Sequence, residues 1–357
     1  SNSYSNRGMA TDFGSGLAVI GMSHIYYFNE KTRIKSTLSY QQTYSKTVLD
    51  SVHQDLPEVP FLRSRQQENR WSFSTQFRQK INARNNYSFG LVLDNFNIDY
   101  IDSLNHPDYG EFITRADVSG QMAMVRAYGQ YQHHFGEQLT GYAGLHLQYF
   151  GLNDEIAVEP RLGARYKLNN RNTFNLGFGL HSQIQPKVIY FAQTWDSISR
   201  TYHKTNEDLG YTRSSHFVLG YDHLFNQDFR IRMETYYQHL YNAPVKESFP
   251  EFSLINAGDF FGLPMEDSLE NKGTGQNYGI ELTVEKFLSK GYYFLFTASL
   301  FDSKYRGADG KLRNTAFNGN YVFNLLGGYE RKLGRNIRLT LDLKTVLAGG
   351  RRYVPVD

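Results

Sequence analysis

Few residues in this chain are of a type and spacing that could do chemistry. His133-His134 is a histidine doublet. A metal needs ligands converging on one point, whereas adjacent strand residues point to opposite faces, so the doublet does not grip one ion. Asn95, Asn97 and Asp99 share a parity and offer oxygens of the kind Ca²⁺ takes, without the further ligands of a cage. The 11 histidines and the many serines show no ordered set of nucleophile, base and orienting group. There are no cysteines, which removes thiol chemistry and a disulfide framework. The sequence therefore offers no catalytic set, no metal site and no cofactor motif, and is expected not to be an enzyme.

What remains is binding. Arg161, Arg165, Glu281, Arg338, Asp342 and Lys344 are charged residues on the polar side of alternating runs, and His146, Gln148, His181 and Gln183 share that side. They contact a solute or pair with one another along a wet inner wall, and alternation alone does not choose between these roles. Tyr190, Phe191 and Trp195 sit in one long polar loop, and Asp259, Phe260 and Phe261 in another. Binding groups concentrate on loops held by a rigid scaffold, so these rings are candidates to stack on a ligand. The alternative is an aromatic girdle at a membrane surface.

The elements that position these residues are strands. Tyr278, Ile280, Leu282 and Val284 alternate with Gly279, Glu281, Thr283 and Glu285, and the runs at 292–300, 321–329 and 337–343 repeat the period of two. Turns such as Ser289-Lys290-Gly291 and Gly334-Arg335-Asn336 join them at one end, and long polar loops at the other. Strands of about ten residues, apolar on one face, with short turns and long loops at opposite ends, are the pattern of a transmembrane β-barrel. Followed from the start, the alternation gives about fourteen strands. The first covers 17–28, long loops fall near 50–66, 102–117, 184–214 and 243–275, and the only brief link at that end is 151–156. Past Asp94 the apolar parity flips to Phe96, Ile98 and Tyr100, as at a bulge or at the exit from a membrane. Pro160 lacks a ladder donor and is placed near the outer end of its strand.

Composition agrees. No run of 18 apolar residues exists, so no transmembrane helix is expected. The 27 Tyr and 26 Phe suit aromatic belts, or equally an all-β protein in water. A net charge of +3, from 38 basic and 35 acidic residues, is too balanced for a nucleic-acid partner. Residues 1–15 are polar and do not form a signal peptide.

Several motifs follow one another along the chain. They are Val158-Glu159-Pro160-Arg161-Leu162-Gly163, His216-Phe217-Val218-Leu219-Gly220-Tyr221, and Glu234-Thr235-Tyr236-Tyr237-Gln238 before Tyr241-Asn242. Gly273-Thr274-Gly275-Gln276-Asn277-Tyr278-Gly279-Ile280-Glu281-Leu282 and Gly349-Gly350-Arg351-Arg352-Tyr353 complete the set. In their order and spacing the chain resembles the C-terminal β-barrel region of TonB-dependent outer-membrane receptors, Bacteroidetes type. The resemblance implies a barrel of about 22 strands with a plugged lumen, in the outer membrane of a Gram-negative bacterium. It implies import of a scarce solute: an iron chelate, vitamin, peptide or glycan. The implied partners are outer-membrane lipid, TonB through a region not in this chain, the solute and a surface lipoprotein. The expected fold is all-β, an antiparallel transmembrane barrel domain over 1–357. Plug, TonB box and terminal strands are expected to lie outside the chain. A passive porin or fatty-acid channel, a surface adhesion barrel and an outer-membrane hydrolase are the competing readings, and no residue stands out for the last.

Overall fold

The computed structural model describes residues 8–51, 59–105, 111–196, 198–257, 265–350 and 352. Strands β1 (Met9–Asn29), β2 (Thr32–Ser51), β3 (Val59–Lys80), β4 (Asn85–Asn105) and β5 (Phe112–His134) are long, at 20–23 residues. β6 (Leu139–Phe150), β7 (Glu155–Lys167) and β8 (Asn172–Gln183) are shorter. A 3-10 turn at Lys187–Phe191 leads into a separate small hairpin, β9 (Gln193–Asp196) and β10 (Thr201–Lys204). Then come β11 (Thr212–Leu224), β12 (Phe229–Lys246), a short β13 (Phe249–Ser253) and β14 (Leu269–Ser289). β15 (Tyr292–Arg306), a short β16 (Leu312–Asn314), β17 (Tyr321–Lys332) and β18 (Arg338–Ala348) finish the chain.

The large sheet is an antiparallel meander, with β13 and β16 as side additions to a path of fourteen strands. Neighbours in sequence are neighbours in space, as short turns demand. At Lys290 and Gly291 both central residues of the turn have positive φ, at 53° and 83°, the conformation that matches the twist of the flanking strands. Among the described residues no helix is long and apolar enough to cross a membrane. The crossing is by strands, and Leu176, Phe217, Leu219, Ile280 and Leu341 lie exposed on the outer face.

The strands outrun the sequence-based boundaries. Much of the loops expected at 50–66 and 102–117 is strand, since β2 and β3 pair as far as Ser51 and Val59, and β4 and β5 as far as Asn105 and Phe112. A spanning strand needs about 9–11 residues, so β1 to β5 carry roughly half their length beyond the bilayer. The flip at Asp94 has the same origin. Pairing of β4 with β3 and β5 runs unshifted through Asp94 and Phe96, so no bulge is present there. What changes is the surroundings. Phe89 and Leu93 face lipid on the outer side, while above them Asn95, Asn97 and Asp99 face water on that same side. Their inward neighbours Phe96, Ile98 and Tyr100 are buried, because a loop packs against them.

Candidate functional site

The inner wall is organised around Glu159. Pro160 has no N–H, and the β7–β8 ladder ends beside it, at Arg161–Gly179. Beyond that point β8 pairs only with β11, which leaves the Ser182 N–H facing β7. Glu159 fills the gap. Its Oε1 accepts from Ser182 N at 2.7 Å and Gln148 Nε2 at 2.6 Å, and its Oε2 meets Arg161 at 2.9 Å and His146 Nδ1 at 2.8 Å. The carboxylate is 1% exposed, so these partners replace water. Gly179 makes room for the network: a side chain there would lie 2.9 Å from His181 Nε2 and 3.4 Å from Arg161 Cγ.

From Arg161 a polar row crosses the inner wall in register through Gly179, His216, Gln238, Asn277 and Ser303. His216 lies edge-on to His181 at 6.2 Å and to Tyr236 at 6.4 Å. The row runs into a cavity of about 600 Å³, whose lining includes His216, Glu234, Tyr236, Gln238, Asn277 and Glu281, with Ile255 and Phe317 from the long-loop end. Glu234 and Glu281 stand opposite each other across β12 and β14. On β14, Gly279 pairs with Tyr236 and leaves no room for a side chain: a Cβ there would meet Leu300 O at 2.7 Å and the Tyr236 hydroxyl at 2.9 Å.

Above the wall, residues 184–192 and 205–211 fold inward as a lid. Val188, Ile189, Tyr190 and Phe191 pack on the inner faces of β4 and β5 and on Phe150 and Leu269, forming the main buried apolar cluster. Lys187 pairs with Glu68 at 2.9 Å and lies over the Phe96 ring. Asn206, fully buried, staples the lid: it donates to Ile189 O at 2.9 Å and Glu266 O at 2.8 Å, and accepts from Leu269 N at 2.9 Å. Asp267 holds Thr194 at 2.6 Å and Lys246 at 2.7 Å. Burial pushes Asp267 up, but hydrogen bonds from Lys246 and Thr194 outweigh it, and its pKa lies below the ordinary carboxylate value. A lowered folded-state pKa stabilises above the ordinary value and is lost as pH falls through the lowered one, so this clamp is closed at neutral pH. Burial likewise raises Tyr211 to about 12, with Glu155 and Glu159 adding to the effect.

Of the residues singled out from sequence, His146, Arg161 and His181 come together around Glu159, whose role as hub the alternation did not reveal. Arg165 lies nearer the short-turn end, opposite Thr140 and Asn175. Tyr190 and Phe191 require a correction: at 0% and 4% exposed their rings hold the lid to the hairpin and offer no free face for stacking. Trp195 lies in β9 opposite Tyr202. Phe260 and Phe261, with Asp259, lie outside the described residues. His133 and His134 point apart, to Asn85 and to Thr140, and among the described residues no His, Cys, Asp or Glu cluster suits a metal. Asn95, Asn97 and Asp99 are exposed on the outer face.

No curated protein matches the sequence. Among solved structures, the chain is similar to the ferric yersiniabactin uptake receptor FyuA from Yersinia pestis, at 13% identity and TM-score 0.69, covering 94% of this chain and 50% of that one. It is also similar to BauA, the ferric preacinetobactin receptor from Acinetobacter baumannii, at 10% identity and TM-score 0.68, covering 95% and 53%. The ferric-catecholate import receptor Fiu from E. coli K12 gives 10%, 0.65, 95% and 54%. The chain thus spans about half the length of these proteins, and the likeness is one of fold. The family described as TonB dependent receptor-like, beta-barrel matches residues 1–356. The chain belongs to that family of Gram-negative outer-membrane receptor barrels.

Proposed function

We propose that this chain forms the barrel wall of an outer-membrane transporter that imports a scarce solute, with energy supplied through TonB. The wall would be part of a barrel of about 22 strands, in a receptor of the Bacteroidetes type as its motifs suggest. One observation carries the reading beyond the family: a folded lid packs on the inner faces of β4 and β5, while the wall from β11 to β15 holds an open polar cavity, an arrangement suited to capture and not to free diffusion. Iron chelates are the first solute class to test, because FyuA, BauA and Fiu are receptors for ferric compounds; a vitamin, peptide or glycan follows. Chemistry is confined to binding, and the chain is not an enzyme. The His146, Arg161 and His181 group and Arg165 are the wall's candidate solute contacts, and Trp195, Phe260 and Phe261 those of the loops. A surface lipoprotein is a further candidate partner.

The test is uptake of radiolabelled ferric chelates, and of the other solute classes, by cells carrying the native protein, with and without TonB. Uptake abolished by loss of TonB is expected. Uptake of equal rate without TonB would make the protein a passive channel, and binding of surfaces with no uptake would make it an adhesion barrel.

A further inference from the structure

The short-turn end of the barrel carries one set of residues twice. In the turn between β3 and β4, Asn82 Oδ1 accepts from Arg84 N at 2.8 Å, Asn85 N at 3.0 Å and Asn85 Nδ2 at 2.9 Å. In the turn between β7 and β8, Asn169 Oδ1 accepts from Arg171 N, Asn172 N and Asn172 Nδ2, each at 2.9 Å. The neighbouring strand then supplies Tyr-x-His-x-Phe: Tyr131, His133 and Phe135 in one case, Tyr221, His223 and Phe225 in the other. Tyr131 and His133 reach Asn85 Oδ1 at 2.5 and 2.7 Å, and Tyr221 and His223 reach Asn172 Oδ1 at 2.6 and 2.7 Å. Tyr131 packs on Tyr87 and Tyr221 on Phe174, both with ring centroids 4.9 Å apart. His133 meets Phe135 edge-on at 4.5 Å and His223 meets Phe225 at 4.3 Å.

The hydrogen bonds fix the chemistry. Each Asn Nδ2 is committed to the turn, so its Oδ1 faces the Tyr and the His and can only accept. The His therefore donates from Nδ1, and its Nε2 is left for an outside group. Neither Nε2 has a partner among the described residues. Arg84 O accepts from His134 N at 2.9 Å and Arg171 O from Leu224 N at 2.8 Å, which sets each arginine one rung beyond its histidine, at the turn. Both arginines are exposed, and neither guanidinium has a partner among the described residues. The asparagine, tyrosine and histidine of both sets share the outward parity of Phe89 and Leu176, which face lipid, and the arginines stand in the turns beside them. An amphipathic ring cluster prefers the level of the lipid head groups, and an unpaired guanidinium there complements a phosphodiester.

We propose that each set binds the phosphodiester head group of a phospholipid in the periplasmic leaflet, giving two sites per chain. The arginine donates to the phosphate oxygens, and the imidazole contacts the head group through its Nε2. The tyrosine and phenylalanine rings hold the glycerol and first methylenes. This rests on the outer-membrane placement with short turns facing the periplasm, and not on the identity of any transported solute.

The test is native mass spectrometry of the intact protein reconstituted with palmitoyl-oleoyl phosphatidylethanolamine, counting lipids that survive activation. Two retained phospholipids are expected, falling to one in Arg84→Gln and to none in Arg84→Gln/Arg171→Gln, with heat-modifiable gel mobility confirming that each variant is folded. His133→Gln/His223→Gln is expected to retain lipid at lower activation energies only. A double arginine variant that holds as many lipids as the parent overturns the proposal. So does equal retention of diglucosyl diacylglycerol, which lacks phosphate, or displacement of the lipid by inorganic phosphate, which would make these free-anion sites. Lipid retention that persists while solute uptake fails leaves this proposal standing and sinks the transport reading alone.

Discussion

Glu159 receives four donors, three from side chains and one from the backbone, in a place where Pro160 interrupts the ladder. It acts as the missing rung between β7 and β8. Replacing a buried carboxylate by its amide removes the charge that orients these donors and turns an NH₂ toward one of them. Hydrogen bonds to charged groups contribute roughly 1.5–3 kcal/mol each, so Glu159→Gln is expected to destabilise the barrel by about 3 kcal/mol in urea unfolding in vesicles. Arg161→Met, at a half-exposed partner, is expected to change it by under about 1 kcal/mol. Equal unfolding curves for Glu159→Gln and the parent would show that the network does not brace this gap. Sequence reading brought His146, Arg161 and His181 onto one face because parity is a local property. It could not rank Glu159 above them, because the demand on that carboxylate arises from an unpaired Ser182 N–H on another strand.

The lid shows where local reasoning stops. Tyr190 and Phe191 look, in sequence, like rings in a polar loop. Their burial depends on partners such as Phe96, Met122 and Leu269, which are distant in the chain. The Lys187–Glu68 pair spans 119 residues, and no pattern of period two encodes it. The alternation registered only the flip past Asp94, read as a bulge or the exit from the membrane, and not the segment that covers the apolar inner face there. Asn206 is the sharpest probe of this element. Its removal strands one carbonyl of the lid, at Ile189, and a carbonyl and an amide N–H of the segment it is stapled to, at Glu266 and Leu269, each at roughly 1–3 kcal/mol when unpaired. Asn206→Ala is expected to raise amide exchange across 184–192 and 205–211, and at Leu269, by at least tenfold, equivalent to about 1.4 kcal/mol, and leave β15 to β18 unchanged. Unchanged exchange in the lid would mean that its apolar contacts alone hold it.

At the scale of the whole molecule, the decisive feature is that one face of one strand meets two solvents. The sequence made most of this legible, because lipid and water sort side chains by the same period that builds the strand: fourteen strands and their facing followed from alternation and loop length. Strand ends did not, because above the bilayer the polar face turns outward and the rule used to find strands inverts. The boundary can be tested on β4 itself. Phe89 and Asn97 both point outward, but Phe89 lies among Tyr87, Leu91 and Leu93 in the apolar band while Asn97 stands above it. An arginine near the bilayer midplane of a barrel costs about 2–4 kcal/mol, and close to nothing once it reaches water. Phe89 also covers Gly129, whose Cβ position lies 3.2 Å from the ring, so Phe89→Leu is needed to account for lost packing. Phe89→Arg is expected to unfold about 2–4 kcal/mol more easily than Phe89→Leu in lipid vesicles, and Asn97→Arg to stay within about 0.5 kcal/mol of the parent. If both arginines were tolerated equally, the outer face below Asp94 would be facing water, and the fourteen strands would have to close on a solvent-exposed sheet with no membrane around it. If both were equally damaging, the bilayer would reach past Asn97 and the lid would sit within the membrane.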